Sequence, residues 1–239
     1  MNDTFIHKFG GWREAEARRW RNIDGAPGGI VAVNAAVDAS IRLPEGVEVW
    51  PEAKIIGSRA SIGSRTSIGF RASIGFRASI GDDASIGDGA SIGDDASIGD
   101  GASIGSRTSI GSRASIGSRA SIGSRASIGF RASIGYEASI GDGASIGHGA
   151  SIGDGASIEA DDWLFVAGPQ GSRNAWATAV YSKKDNLLRW WIGCQHGLTT
   201  EAFRERLARE HSVESNHRAD YEHLILMVET HPGLARAKT

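Results

Sequence analysis

The chain has 239 residues, with 26 Lys plus Arg against 28 Asp plus Glu and one cysteine, Cys194. A formal net charge of -2 gives no global attraction to nucleic acid or acidic membrane, and a lone cysteine excludes a disulfide framework within the chain. The 33 glycines follow no three-residue period and prolines number only 5, which excludes collagen. No apolar run of about 18 residues and no signal-peptide pattern occurs, so the expectation is a soluble cytoplasmic protein with no membrane partner.

Residues 1–30 read as an N-terminal cap. The stretch Trp12 to Asn22 (WREAEARRWRN) is expected to form a short helix with Trp12, Ala15 and Arg19 on one face, ended by Asp24 to Gly29 (DGAPGG). Trp12 and Trp20 are expected to cover the open end of the repeat region that begins at Val31.

Residues 31–158 carry an internal repeat. From Ile56 to Ile158 every sixth residue is isoleucine, 18 in one phase, and the unit from Ile62 onward is A/T-S-I-G-x-x. A period of six suits neither a helix nor one long strand. Instead Ala60 and Ile62 share one face of a short strand, Ser61 takes the other face, and Gly63 opens a corner. Three strands and three corners close a coil of about 18 residues, and stacked coils pair their strands in parallel about 4.8 Å apart. Val31, Val37, Leu43, Val49 and Ile55 continue the spacing in degraded form. The phase slips by one residue between Ile55 and Ile56, which predicts a bulge or adjusted corner.

This unit resembles the hexapeptide repeat of the left-handed parallel β-helix family. The resemblance implies left-handed coiling and a homotrimer. It also implies an acyltransferase that takes its acyl group from a CoA thioester or acyl carrier protein, with a histidine as general base. The chain departs from that pattern in having one histidine in the repeat, His148, and no loop inserted between Ile56 and Ile158. His148 occupies a variable corner position, where the side chain is expected to face solvent.

The corners vary in blocks. Arg59, Arg65, Arg71 and Arg77 make a basic band, Asp82 to Asp100 an acidic one, and Arg107 to Arg131 a second basic one. The acidic band interrupts any long polyanion track, which argues against nucleic acid. Phe70, Phe76, Phe130 and Tyr136 also take corner positions and are expected to contact other subunits.

Residues 159–239 change composition: Trp163, Trp176, Trp190 and Trp191 and five of the seven histidines lie here. The pattern predicts strands over 163–167, 175–181 and 187–193, with a turn at Gly168 to Gly171. Helices are expected from Thr199 or Thr200, and from about Ala219 to Thr230, stopped by His231, Pro232 and Gly233. The fold expected for the whole chain is therefore an all-β left-handed parallel β-helix with a short N-terminal helical cap and a small α+β C-terminal domain. Ser172, Arg173, Trp190, Trp191 and His196 are the candidate binding residues of that domain. Cys194 reads as buried filler, and Cys194, His196, His211, His217 and His223 contain no compact ligand pair, so no metal is expected.

Two functions stay open from sequence. One is a non-catalytic trimeric scaffold that presents residues 159–239 to a macromolecular partner and needs no cofactor. The other is an acyltransferase with His148 as its base and a CoA thioester as substrate.

Overall fold

A computed structural model describes residues 4–56, 58–159, 161–170, 175–192 and 195–238. The repeat folds as expected. Strands β4 (Ala36–Val37), β5 (Glu48–Val49) and β6 (Lys54–Ile55) lead into β7 (Ser61–Ile62), and Ser-Ile strands then recur every six residues to β23 (Ser157–Ile158). Strands pair in parallel with those one coil away, as in Ser85 on Ser103 and Ile86 on Ile104. Three stacked sheets close a triangular prism, a left-handed parallel β-helix of about seven coils.

The alternation fixes what goes inside. Ile62 to Ile158 are all buried, and so are the Ala or Thr residues two before each, while most intervening serines are exposed. Each buried isoleucine contributes on the order of 2 kcal/mol. Ladder bonds run coil to coil, such as Ser61 N to Ala78 O at 2.9 Å and Gly63 N to Ile80 O at 2.8 Å.

From Gly63 to Gly135 the glycine after each isoleucine is demanded by stacking rather than by its own φ. A Cβ on Gly117 would stand 2.6 Å from the Gly135 carbonyl carbon of the next coil. Two residues further on, the corner turns left-handed, with φ of 58° at Arg113, 56° at Asp95 and 65° at Gly101. That conformation costs a non-glycine residue roughly 1–2 kcal/mol. The corner N–H returns a ladder bond, as from Asp95 to the Phe76 carbonyl at 2.8 Å.

The phase slip is real, and it corrects the reading of Ile56. Partners lie 18 apart above it (Ser61 on Ser79) and 19 apart across it (Lys54 on Ser73). Ile55 is the core residue at 0% exposure, whereas Ile56 is 62% exposed on the widened corner.

The N-terminal cap is not helical. β1 (Thr4–Phe9) and β2 (Arg13–Arg21) form an antiparallel hairpin, and β2 pairs with β3 (Pro27–Ala32), which enters the first coil. Gly10 and Gly11, at φ 56° and 79°, make the turn. Glu14-Ala15-Glu16-Ala17 alternates with period two, and a register shift between Arg19 and Arg21 brings Trp20 inward. The open coil end is capped chemically. The Trp20 indole donates to the Ile41 carbonyl at 3.1 Å, and Asn22 both donates to the Leu43 carbonyl (3.1 Å) and accepts the Leu43 N–H (2.9 Å). Trp12 is 66% exposed and lies edge-on to Trp50.

At the other end a four-stranded antiparallel sheet runs β24 (Trp163–Gln170), β25 (Ala175–Ser182), β26 (Leu187–Ile192) and β27 (Gln195–Thr199). β24 continues through Gly168 to Gln170, where the sequence predicts a turn, and β27 is an additional strand. Alternation divides the sheet between two cores. Val180 and Trp191, with Leu164 and Val166, close the prism end. Ala177, Ala179, Tyr181, Trp190 and Ile192 face α1 (Thr200–Glu210), α2 (Asn216–Glu229) and α3 (Pro232–Ala237). The Thr199 side chain caps α1 by accepting the Ala202 N–H. His231 and Pro232 end α2 and begin α3. Among the described residues no helix is long and apolar enough to cross a membrane.

Candidate functional site

Residues 18 apart stack on one prism corner. The first corner residue after each Ile-Gly presents its backbone N–H to the residue one coil on. Wherever that residue is aspartate, its carboxylate accepts this N–H. Examples are Ser64 to Asp82 (2.6 Å), Phe70 to Asp88 (2.8 Å), Phe76 to Asp94 (2.8 Å), Ser124 to Asp142 (2.6 Å) and Tyr136 to Asp154 (2.8 Å).

His148 takes the same place. Its Nδ1 accepts the Phe130 N–H at 2.9 Å. A neutral ring whose Nδ1 accepts carries its proton on Nε2. His148 is exposed, as the sequence predicts. It borders a cleft of about 460 Å³ between the last coil (Ser145 to Ala150) and Leu164 and Val166 of β24. The cleft therefore has a polar wall bearing one imidazole and an apolar wall made by the C-terminal sheet. Glu137, Asp142 and Asp154 are the nearby carboxylates in sequence, and each has another partner. Asp142 binds Ser124, Asp154 binds Tyr136, and Glu137 pairs with Arg119 at 3.3 Å.

The charge bands meet in ion pairs. Arg65 holds Asp83 through Nε (2.6 Å) and Nη2 (2.5 Å), which lowers the Asp83 pKa from 3.8 chiefly through that hydrogen bond. Arg119 donates to the Tyr136 hydroxyl at 2.7 Å. The Glu137 carboxyl is held below its usual value by hydrogen bonds from Tyr136 and then Arg119, and Tyr136 is raised, first by its bond to Glu137. Phe130 and Tyr136 stand 36% and 42% exposed. Phe76 is half-buried beneath the Arg77 guanidinium. Phe70 already has a partner within the chain, the Arg13 guanidinium 4.2 Å from its ring centre.

The C-terminal candidates are scattered. Trp190 is fully buried, its indole donating to Thr200 Oγ1 at 3.0 Å and its ring against Phe203; it is a core residue with no surface to offer a ligand. Trp191 is 6% exposed and plugs the prism over Gly153. The position of β26 between two cores explains both roles: neighbours in such a strand are buried on opposite faces. His196 falls within β27, with its side chain outside the described residues. Ser172, Arg173 and Cys194 also lie outside the described residues. No group of three or more His, Cys, Asp or Glu among the described residues has metal-binding geometry.

A prism of stacked six-residue units, sealed at one end by a hairpin and at the other by a sheet, defines a left-handed β-helix protein. Residues 77–112 match the family described as bacterial transferase hexapeptide (six repeats). No curated protein matches it in sequence. Similar solved structures include the UDP-N-acetylglucosamine acyltransferase from Campylobacter jejuni, 14% identical over 48% of this chain and 66% of that one, with a TM-score of 0.30. Another is PerB from Caulobacter crescentus in complex with CoA and GDP-perosamine, 23% identical over 54% of this chain and 50% of that one, TM-score 0.28. LpxA, a UDP-N-acetylglucosamine acyltransferase from Bacteroides fragilis, is 15% identical over 51% of this chain and 68% of that one, TM-score 0.32. The chain thus spans about half to two thirds of the length of these proteins.

Proposed function

We propose that the chain is a hexapeptide-repeat acyltransferase that takes an acyl group from a CoA thioester, as substrate, and works as a cytoplasmic homotrimer with Phe130 and Tyr136 facing neighbouring copies. The observation that carries this reading is the cleft at the last coil, where the one imidazole of the repeat stands opposite Leu164 and Val166. An apolar wall suits an acyl chain, and an imidazole suits proton handling near neutral pH. In the transfer, an acceptor hydroxyl or amine forms a bond to the thioester carbonyl carbon, the carbon–sulfur bond breaks, and the acceptor proton ends on the departing thiolate. As held by Phe130, His148 offers Nε2–H, a donor suited to the developing oxyanion. To act as general base the ring must first release the Phe130 N–H.

The test separates the imidazole from its corner role. Thiol release from acetyl-CoA and a longer acyl-CoA is measured with amine and hydroxyl acceptors, including the nucleotide sugars named with the similar structures. His148→Asp restores the corner acceptor used elsewhere but removes the imidazole. Acceptor-dependent thiol release in the parent, lost in a fully folded His148→Asp, is the expected result. Equal release by both proteins would overturn the assignment of His148.

One observation favours a second reading. His148 does at its corner what aspartates do at the others, and β7 to β23 run without an inserted loop. Under this reading the prism is a rigid trimeric rod that presents the C-terminal sheet and helices to a macromolecular partner. Absence of thiol release with every donor and acceptor, in a protein of trimer mass by light scattering, selects it.

A further inference from the structure

The corner that carries Phe70, Asp88, Ser106, Ser124 and Asp142 contains a gap. Its lower N–H, from Phe70, meets Asp88 at 2.8 Å, and its upper N–H, from Ser124, meets Asp142 at 2.6 Å. Between them Ser106 stands one coil above Asp88 and Ser124 one coil above Ser106, and no acceptor among the described residues takes the Asp88 or the Ser106 N–H. On the other two corners the equivalent positions lie under rings, Ser112 under Phe130 and Ser118 under Tyr136. Over Ser106 there is only a hydroxyl, and a cleft of about 590 Å³ opens there, lined by Asp88, Ser106, Arg107, Ser124, Arg125 and Asp142.

Two arginines frame that gap. Arg107 and Arg125 have the same left-handed backbone, at φ 59° and 60°, so their side chains leave the corner alike, one coil (about 4.8 Å) apart. Arg65, Arg71, Arg113 and Arg119 each pair with a carboxylate. Among the described residues none pairs with Arg107 or Arg125. The carboxylates that bound the gap, Asp88 and Asp142, each accept one N–H through Oδ1, from Phe70 and Ser124.

We infer that this corner is a binding site for a single phosphate group, as inorganic phosphate or a phosphate monoester. One phosphate oxygen takes the place of the missing carboxylate on the Ser106 N–H. The Arg107 and Arg125 guanidinium groups and the Ser124 hydroxyl donate to the others. Backbone N–H groups at a turn are ready anion donors, and paired guanidinium groups match the charge and planar donor geometry that phosphate accepts. Asp88 and Asp142, below and above, repel a longer polyanion and restrict the site to one compact group. The inference does not depend on the acyl-transfer reading.

The experiment is calorimetric titration of the full chain with inorganic phosphate and, separately, a hexose phosphate. Saturable binding is expected, weakened roughly tenfold in Arg107→Gln and in Arg125→Gln. The decisive variant is Ser124→Asp, which supplies the chain's own carboxylate at the vacant position. It is expected to abolish phosphate binding while its thermal midpoint stays at or above the parent's. Tighter binding of the hexose phosphate marks a phosphorylated ligand, and equal binding marks the free ion. Absence of saturable binding by either, or binding unchanged in Ser124→Asp and both arginine variants, overturns the inference.

Discussion

Ile55 and Ile56 are adjacent in the chain and lie on opposite sides of the prism wall. Ile55 is wholly buried and stacks beneath Ile74, while Ile56 is 62% exposed on a corner one residue longer than the rest. The two side chains therefore differ in energy despite identical chemistry. Ile55→Ala, like Ile98→Ala in mid-prism, should cost about 2–5 kcal/mol by removing buried methyl groups and leaving a cavity. Ile56→Ala should change stability by less than about 0.5 kcal/mol. Denaturant unfolding of the three variants measures the difference.

The corner glycines make a sharper prediction, because two of them differ only in what lies above. A Cβ at Gly117 would meet the Gly135 backbone at 2.6 Å, whereas at Gly147 nothing lies within 4 Å. Gly117→Ala should force the coils apart and cost about 1–3 kcal/mol or more. Gly147→Ala should be neutral or stabilising by about 0.4–1 kcal/mol, through loss of unfolded-chain freedom. Thermal melts of the two variants suffice to decide.

The stacked N–H acceptors predict a ranking at one corner column. Asp94→Ala leaves the Phe76 N–H without its 2.8 Å acceptor and should cost about 1 kcal/mol at this exposed position. His148→Ala should cost about as much by freeing the Phe130 N–H, and His148→Asp should restore the loss. A stability of His148→Asp no better than His148→Ala would show that the Phe130 bond contributes nothing.

Acid should weaken the charge bands in a defined direction. The Arg65 hydrogen bond holds the Asp83 pKa below 3.8 in the folded chain. A depressed folded pKa contributes stability that is fully present above the unfolded value and is lost as pH falls through the folded value. Asp83→Asn should therefore lower the thermal midpoint slightly at neutral pH, with the difference closing as both proteins are taken below the folded pKa. Both groups are solvent-exposed, so the effect should also shrink in high salt.

Much of the prism is legible because its residues repeat their reasons. Ala60 and Ile62 face inward, Ser61 outward, and parallel stacking at 18 residues follows from three strands per coil. His148 is likewise placed by its phase at a corner facing solvent. The second strand of the hairpin, Arg13–Arg21, lies in the stretch Trp12 to Asn22 that reads as a helix in sequence because Glu14 to Arg19 is rich in helix formers. Tertiary pairing with β3 and the Gly10-Gly11 turn override that propensity.

The open cleft at Ser106 and the roles of Trp190 and Trp191 needed the folded chain. Trp190 and Trp191 look equivalent in sequence, yet one fills the helix-facing core and the other seals the prism. The gap exists only because Ser124 lies one coil above Ser106. Sequence alone determined the period, the inward residues and the corner positions, since these depend on strand alternation within six residues. Tertiary structure decided what stands over each corner and what closes each end, since those contacts join residues 18 or more apart whose meeting is set by stacking.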